Sequence, residues 1–158
     1  MGNIFYYETP IGEIAIGEQD GAITHVLYKD HSLPEEYIVE ETPILKEANR
    51  QLQEYFAGKR KDFSLDLNPS GTPFMKSVWT SLQNIPYGET RSYKDIAISV
   101  ERDKAYRAVG LANNRNPISI FIPCHRVIGS NGALIGYGGG LDIKTFLLEL
   151  ENTNKASA

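Results

Sequence analysis

The stretch "FIPCHRVIGS", residues 121–130, holds the single cysteine of the chain, Cys124, with His125 and Arg126 directly behind it. A cysteine is nucleophilic only as a thiolate, so it needs a base, a positive charge or a helix N-terminus nearby to lower its pKa. In a strand, neighbours point to opposite faces, whereas a tight turn, which Pro123 favours, lets them approach each other. Two hypotheses follow: an inert buried cysteine, or a reactive thiol with His125 as its base.

A histidine that acts as a base, directly or through a water, needs a carboxylate to orient its imidazole, as in hydrolase triads. The candidates are Glu149 and Glu151, both in "DIKTFLLELE", which reads as a helix capped by Asp142. Glu151 sits at the edge of the predicted buried stripe, which consists of Ile143, Phe146, Leu147 and Leu150.

The whole chain has the composition of a globular protein. It has 158 residues, 41% of them hydrophobic and 23% charged, which suits one ordinary domain or two small ones. We find neither an apolar run of membrane-spanning length nor a signal peptide, so we expect no membrane association and a cytoplasmic location, or a nuclear one in a eukaryote. One cysteine forms no internal disulfide and no cysteine-rich zinc site, and we expect neither a metal nor a cofactor.

The charge is unevenly distributed. The net charge is −4, yet the segment 74–126 holds eight basic and four acidic residues, so the remainder carries −8. This excludes a generally basic coat for nucleic acid. It suggests that one segment meets an anion while the rest keeps the protein soluble.

The first half of the chain predicts a small sheet and one helix. Three short strands are expected in "NIFYYET", "GEIAIGE" and "AITHVLYK", and a further one in "DFSLDL". Between them, "PILKEANRQLQEYFAG" has helical periodicity and Gly58 at its end. Its predicted buried stripe consists of Leu45, Ala48, Leu52, Tyr55 and Phe56. The turn-rich "NPSGTP" marks a domain boundary.

The second half is mainly helical. "FMKSVWTSLQNI" carries Phe74, Val78 and Leu82 at helical spacing. A second helix is expected behind Ser92 as N-cap and a third behind Asp103. Two short helices joined in this way are the minimum of a helix-turn-helix, although many helical hairpins bind nothing.

The third of these helices has a small-residue stripe and an outward arginine. Ala105, Ala108, Val109 and Ala112 share one face, which permits close packing, and Arg107 points the other way. Either Arg107 is simply solvated, or it is a cation that meets a ligand.

The glycine-rich "GSNGALIGYGGG" follows the cysteine segment. Asn131-Gly132 is a strong turn signal, and the glycines around Tyr137 give a loop whose backbone can lie against something flat. A flexible connection is the alternative.

Together these residues resemble the O6-alkylguanine-DNA alkyltransferases, a family also called methylated-DNA–protein-cysteine methyltransferases. The resemblance is strong over residues 74–151 and only approximate before them. It rests on the following ordered pieces: "IPYGETRSYKDIA", "RAVGLANN", "NNRNP", "IPCHRVI" and "GYGGGLDIKTFLLELE".

The resemblance implies an α+β fold in two domains. Residues 1–68 would form a small N-terminal sheet-and-helix domain of ribonuclease H-like type, and 69–73 a linker. Residues 74–158 would form a mainly helical winged helix-turn-helix domain that binds DNA and carries the catalysis.

The implied activity is direct reversal of DNA damage. The protein, a monomer, would bind double-stranded DNA through the minor groove, flip an O6-alkylguanine, mainly O6-methylguanine, out of the duplex, and transfer the alkyl group irreversibly to Cys124 in a single turnover. His125, backed by Glu151, would remove the thiol proton, and Tyr93 would protonate the departing guanine and press on the DNA backbone.

The resemblance also implies roles for the surrounding residues. Arg107 would fill the gap left by the flipped nucleotide, with Ser92, Ala108 and Gly110 also at the DNA. The remaining residues would line the guanine pocket or support it: Asn116 holding the turn before the cysteine segment, Val127 and Cys124 offering carbonyls to the guanine amine, Tyr137 and Gly138 lining the pocket, and Arg126 as scaffold.

Three departures and three alternatives accompany the resemblance. Gly138 lacks the hydroxyl of some relatives, Tyr106 is larger than the usual small residue, and their N-terminal zinc ligands have no counterpart. The main alternative is an alkyltransferase-like protein that binds lesions without transfer, against which the cysteine argues. A cysteine hydrolase would leave Tyr93 and Arg107 unused, and a plain winged-helix regulator would leave "PCHR" unexplained.

Overall fold

The computed structural model describes residues 1–29, 32–132, 137 and 139–156. The chain forms two compact units, Met1–Ser70 with Pro117–Phe121, and Gly71–Asn116 with Ile122–Ala158. The short segment Pro117–Phe121 thus belongs to the first unit, although it comes after most of the helices of the second unit in the chain. It does so because the Val26 N–H donates to the Pro117 carbonyl (2.8 Å) and Val26 forms a parallel bridge with Ile118.

The first unit is built on a four-stranded sheet. Its strands are β1 (Asn3–Thr9), β2 (Gly12–Gln19), β3 (Ala22–Tyr28) and β4 (Ile38–Val39), in the spatial order β3-β2-β1-β4. The first three strands pair antiparallel, and β4 pairs parallel with β1. The turn between β2 and β3 holds Asp20 and Gly21 at φ +53° and +83°, the left-handed backbone that an Asp-Gly hairpin turn requires.

Helix α1 (Pro43–Phe56) packs on β1 and β2. All five residues of its predicted stripe are buried, so the periodicity is confirmed. Elsewhere on the sheet the Tyr37 ring lies so close to Gly17 that a Cβ there would come within 3.2 Å of it. Helix α1 and the Tyr37 ring both cover β2. Their contacts explain why the residues of Ile14–Glu18 are all buried, without the alternation of a half-exposed strand.

The strand predicted in "DFSLDL" is wrong. Only Leu67 pairs with the sheet, through an isolated parallel bridge to Ile23, where the Ile23 N–H donates to Asp66 and the Asn68 N–H to Ile23 (both 2.8 Å). Alternation of apolar residues was present there, but the chain leaves the sheet edge after one bridge.

The second unit is mainly helical. It contains α2 (Pro73–Gln83), α3 (Tyr93–Ser99), α4 (Tyr106–Asn114), a 3-10 turn (Cys124–Arg126) and α5 (Leu141–Asn154). Two short strands, β5 (Arg91–Ser92) and β6 (Val127–Ile128), pair parallel. Helices α3 and α4 pack on each other as a helix-turn-helix, and the α+β class is confirmed. Among the described residues, no helix is long and apolar enough to cross a bilayer.

Helix α2 anchors the helix-turn-helix through Trp79. Its buried residues are Val78, Trp79 and Leu82, and the Trp79 indole N–H donates to the Ala112 carbonyl of α4 (2.9 Å). Gly71 is needed beside this indole, because a Cβ there would lie 2.6 Å from the ring. Phe74, which shares the helical spacing of Val78 and Leu82, is only half-buried.

Of the three predicted helix caps, only Ser92 is confirmed. Ser92 caps α3 as predicted, since its Oγ accepts from the Asp95 N–H (3.0 Å) and the Asp95 carboxylate accepts from the Ser92 N–H (2.9 Å). The predicted cap at Asp103 is wrong, because a turn closed by the Ala105 N–H and the Arg102 carbonyl delays α4 to Tyr106. Asp142 lies in the first turn of α5, whose N-cap is Gly140 at φ +95°.

The buried faces of α4 and α5 also differ from the predicted ones. In α4 the buried residues are Val109, Ala112 and Asn113, while Ala108 is exposed. In α5 they are Lys144, Leu147 and Glu151, of which only Leu147 belongs to the predicted stripe. Lys144 and Glu151, the two buried charged side chains of α5, make buried hydrogen bonds, which a hydrophobic pattern does not show.

Candidate active site

Cys124 begins the 3-10 turn, directly after Pro123. Parallel pairing of β5 with β6 joins Ser92 to Ile128, so the start of α3 lies beside the end of this turn. Cys124 is a free thiol and only 4% exposed. The turn also buries His125 and Arg126, so the three residues of "CHR" share one interior region of the second unit.

His125 and Glu151 form a buried pair. The His125 Nε2 lies 2.6 Å from Glu151 Oε2, and both side chains are at most 1% exposed. A carboxylate only accepts hydrogen bonds, so Nε2 carries the proton and Nδ1 holds the lone pair. Among the described residues Nδ1 has no hydrogen-bond partner. Of the two candidate carboxylates the structure therefore brings Glu151 to the imidazole, whereas Glu149 is exposed.

Burial lowers the pKa of His125, although the hydrogen bond and charge of Glu151 act in the opposite direction. The imidazole is therefore neutral at physiological pH and able to accept a proton. Burial alone would raise the pKa of Glu151, but the hydrogen bond from neutral His125 and the hydrogen bonds and charge of Arg126 outweigh it and hold that pKa far below its ordinary value. Glu151 is an anion throughout the physiological range.

Arg126 completes the support of Glu151. Its Nε donates to Glu151 Oε1 (2.7 Å) and its Nη2 to Oε2 (3.0 Å), which is the bidentate geometry that guanidinium groups favour. Its Nη1 donates to the Ile85 carbonyl (2.7 Å), and its guanidinium lies over the Tyr87 ring at 5.7 Å. These contacts are structural ones, in keeping with the scaffold role that the resemblance implies.

The Cys124 thiol is surrounded by groups that favour its ionised form. The pKa of Cys124 is nevertheless raised, because burial outweighs the side-chain hydrogen bonds from Asn116 and Tyr137 and the charge of Lys144, which act to lower it. Asn116 also donates to the Ile122 carbonyl (2.8 Å), so it holds the segment before the turn. Burial raises the pKa of Tyr93, and the nearby negative charge of an ionised Cys124 raises it further.

Helix α4 presents a different surface. Arg107 and Ala108 are exposed. Tyr106 and Leu111 are exposed as well, both at 51%. Gly110 faces Tyr93, since a Cβ on it would lie 3.8 Å from the Tyr93 ring.

The structure does not gather every predicted site residue around the thiol. Arg107 and Ala108 lie on the exposed surface of α4, and Ser92 is engaged in the cap of α3. The Val127 carbonyl already accepts from Lys144 (2.6 Å) and the Cys124 carbonyl from Asn113 (3.3 Å). Gly138 lies outside the described residues. Within those residues no three His, Cys, Asp or Glu side chains are placed to hold a metal ion.

Comparison with known proteins assigns the family. The model of the 6-O-methylguanine DNA methyltransferase DNA-binding domain matches residues 73–153, and that of the ribonuclease-like domain of the same proteins matches residues 5–69. The chain belongs to the 6-O-methylguanine DNA methyltransferase family.

Individual relatives of this methyltransferase family match over nearly their whole length. The methylated-DNA–protein-cysteine methyltransferase of Methanosarcina barkeri is 54% identical over 151 residues, which cover 93% of this chain and 95% of that protein. The constitutive one of Bacillus subtilis is 53% identical over 153 residues, 91% and 92% of the two chains. A crystal structure of Mycobacterium tuberculosis OGT in complex with DNA aligns with a TM-score of 0.91 at 41% identity, over 96% of this chain and 94% of that one.

Sequence reasoning missed two buried polar residues of this methyltransferase site. Asn113 donates to the Cys124 carbonyl from the end of α4, and Lys144 donates to the Val127 carbonyl from α5. Asn113 could have been found, because it lies four residues after Val109 on the buried face of α4. Lys144 gave no such signal, since a lysine is almost never buried without a specific partner.

Proposed function

We propose that this protein repairs DNA by moving the alkyl group of an O6-alkylguanine, mainly O6-methylguanine, to its own Cys124. The observation that carries the proposal is the buried relay from Glu151 to His125 directly behind the only thiol of the chain. Family membership gives this arrangement its reaction class, alkyl transfer from DNA to a protein cysteine.

The relay supplies the thiolate. The free lone pair on His125 Nδ1 takes the proton of the Cys124 thiol, through a water molecule. Glu151 fixes the tautomer that leaves Nδ1 free and stabilises the imidazolium that forms. Arg126 keeps Glu151 ionised and in place, so it acts through the carboxylate and has no part in the transfer itself.

The transfer is a displacement at the alkyl carbon. The thiolate sulfur attacks the carbon attached to guanine O6, a carbon–sulfur bond forms, and the carbon–oxygen bond breaks with its electron pair leaving on the guanine. Tyr93, half-buried beside Cys124 and with a raised pKa, donates a proton to that leaving group. The products are guanine and a neutral thioether, from which nothing in this scheme regenerates the thiol, so each molecule acts once.

DNA is engaged through α4. Its exposed Arg107 would fill the gap left by the flipped nucleotide, and its small residues suit close approach to the minor groove. A thiol that must stay reduced until used fits a reducing compartment, so we propose the cytoplasm, or the nucleus in a eukaryote. We propose that the protein acts as a monomer, since one chain carries the whole relay.

The test is intact mass after mixing the purified protein with a duplex that holds one O6-methylguanine. We expect one methyl group to replace one hydrogen on the protein, and no change in Cys124→Ser. A protein that binds the lesion without any gain of mass would be a lesion-binding module, and the transfer proposal would be wrong.

A further inference from the structure

Asn113 carries a buried amide oxygen that has no hydrogen-bond partner. The residue lies near the end of α4 and is 1% exposed. Its Nδ2 donates to the Cys124 carbonyl (3.3 Å), whereas no group of the described residues donates to its buried Oδ1. Buried polar atoms are nearly always hydrogen-bonded, and leaving one unpaired is costly. An open acceptor at this place suggests a ligand that brings the matching donor.

The orientation of this amide follows from its neighbour. A carbonyl oxygen only accepts hydrogen bonds, so the atom of Asn113 that faces the Cys124 carbonyl is the amide nitrogen. The oxygen of a primary amide lies about 2.3 Å from its nitrogen, so Oδ1 is within about 6 Å of that carbonyl. The open acceptor therefore lies beside the backbone of the nucleophile itself.

The backbone carbonyls of the reactive turn are already engaged. The Cys124 carbonyl accepts from Asn113 and from the Val127 N–H, which uses both of its lone pairs. The Val127 carbonyl accepts from Lys144 (2.6 Å). The resemblance implies that these two carbonyls receive the guanine amine, whereas the structure offers the Asn113 oxygen as an open acceptor next to them.

O6-alkylguanine has one donor to offer to such an acceptor. An alkyl group on O6 removes the hydrogen from N1, so the ring nitrogens that are not bound to the sugar only accept. The exocyclic amine on C2 is the remaining N–H group, and it lies on the Watson–Crick edge of the base together with O6. A base whose alkyl carbon meets the Cys124 sulfur therefore turns the edge that carries its amine towards the same turn.

We propose that Asn113 Oδ1 accepts a hydrogen bond from the exocyclic amine of the flipped guanine, which makes Asn113 a specificity-determining residue. The inference rests on the proposed function, since it concerns the same base at the same thiol. A base without this amine leaves the buried acceptor unpaired, and sites built to hydrogen-bond a substrate N–H reject analogues that lack it. Asn113 thus favours alkylated guanine, while its Nδ2 holds the reactive turn.

The test compares two duplexes that differ only in this amine. One holds O6-methylguanine and the other O6-methylhypoxanthine, each opposite an abasic site so that base pairing does not differ. Single-turnover methyl transfer is followed by intact mass, and the ratio of the two rate constants is the readout. The wild type should prefer O6-methylguanine about tenfold, a size typical of a buried acceptor that loses its donor. In Asn113→Ala the preference should disappear, whatever the loss of the bond to the Cys124 carbonyl does to both rates.

A second variant covers a failure of Asn113→Ala to fold. Asn113→Leu has an apolar side chain of similar shape and should lose the same preference. Asn114→Ala removes the next amide of α4, which is exposed, and should keep the wild-type ratio. Equal rates on both duplexes in the wild type, or a wild-type ratio in either folded Asn113 variant, would overturn the proposal. A wild type that takes a methyl group from neither duplex would contradict the proposed function instead.

Discussion

Glu151 connects both residues that follow the nucleophile. Its two oxygens accept from His125 Nε2 and from two nitrogens of Arg126, and the Gly88 N–H adds a longer bond at 3.3 Å. One carboxylate thus selects the tautomer of the base and secures the turn that carries the thiol. Substitutions here should therefore separate an effect on chemistry from an effect on stability.

Glu151→Gln should slow methyl transfer at least tenfold, because a neutral amide orients the imidazole but does not stabilise the imidazolium. The measurement is single-turnover transfer from an O6-methylguanine duplex, with folding checked by circular dichroism. Glu149→Gln, an exposed change in the same helix, is the matched control and should transfer at the wild-type rate. Equal rates in Glu151→Gln and wild type would remove Glu151 from the relay.

Arg126→Met should lower the free energy of unfolding by about 3–5 kcal/mol, since it leaves the buried Glu151 charge without its guanidinium partner. Urea denaturation measures this loss. Arg50→Met breaks an exposed pair with Glu47 on α1 and should change the unfolding free energy little. Similar losses of unfolding free energy in both variants would show that the buried Arg126–Glu151 pair stabilises the fold no more than the exposed pair does.

At the scale of elements, α4 and the 3-10 turn have different proposed roles, DNA contact for the helix and chemistry for the turn. Helix α4 presents Arg107 to solvent and holds the Cys124 carbonyl from its other end through Asn113. The parallel pairing of β5 and β6 brings Tyr93, the first residue of α3, next to the turn. The proposed DNA contact and the proposed chemistry therefore lie on adjoining segments of one unit.

Arg107→Ala should slow transfer from duplex DNA more than transfer from a free O6-alkylguanine base, because only the duplex requires a nucleotide to be flipped out. Both substrates are followed by the mass of the protein. Arg115→Ala, at the C-terminal end of the same helix, controls for loss of an exposed positive charge. An equal loss on both substrates would contradict the role proposed for Arg107.

How far the sequence predicts these elements depends on what is buried. Apolar stripes identified α1, and the Ser92 signal identified the start of α3, because local chemistry decides both. The stripe of α5 was assigned wrongly, since Lys144 and Glu151 are buried through hydrogen bonds to residues 17 and 25 or more positions earlier in the chain. Resemblance supplied Glu151 as a member of the site, but only the fold shows Lys144 beside the turn.

On the scale of the whole molecule, the buried charges predict a pH dependence of stability. Burial lowers the pKa of His125 from 6.5, so below that pH the unfolded chain takes a proton that the folded one does not. The hydrogen bonds and charges around Glu151 outweigh burial and hold its pKa below 4.5, so the stability it contributes is complete above that pH and is lost as pH falls. Both groups act in the same direction.

Unfolding free energy should therefore decrease from neutral pH towards acid, first below about 6.5 and then more steeply below about 4.5. Urea denaturation at a series of pH values checks this. Glu151→Gln should keep the first decrease and lose part of the second. An unfolding free energy that is independent of pH between 7 and 4 would mean that neither group is perturbed as described.

The central claim is that Cys124 accepts one alkyl group and then stops. Its most direct test is a titration of the protein with a rising excess of O6-methylguanine duplex, with methyl groups counted by intact mass and located by peptide mapping. We predict a plateau at one methyl group per chain, on the peptide that contains Cys124. Continued demethylation beyond one equivalent, or a methyl group on any other residue, would contradict the account.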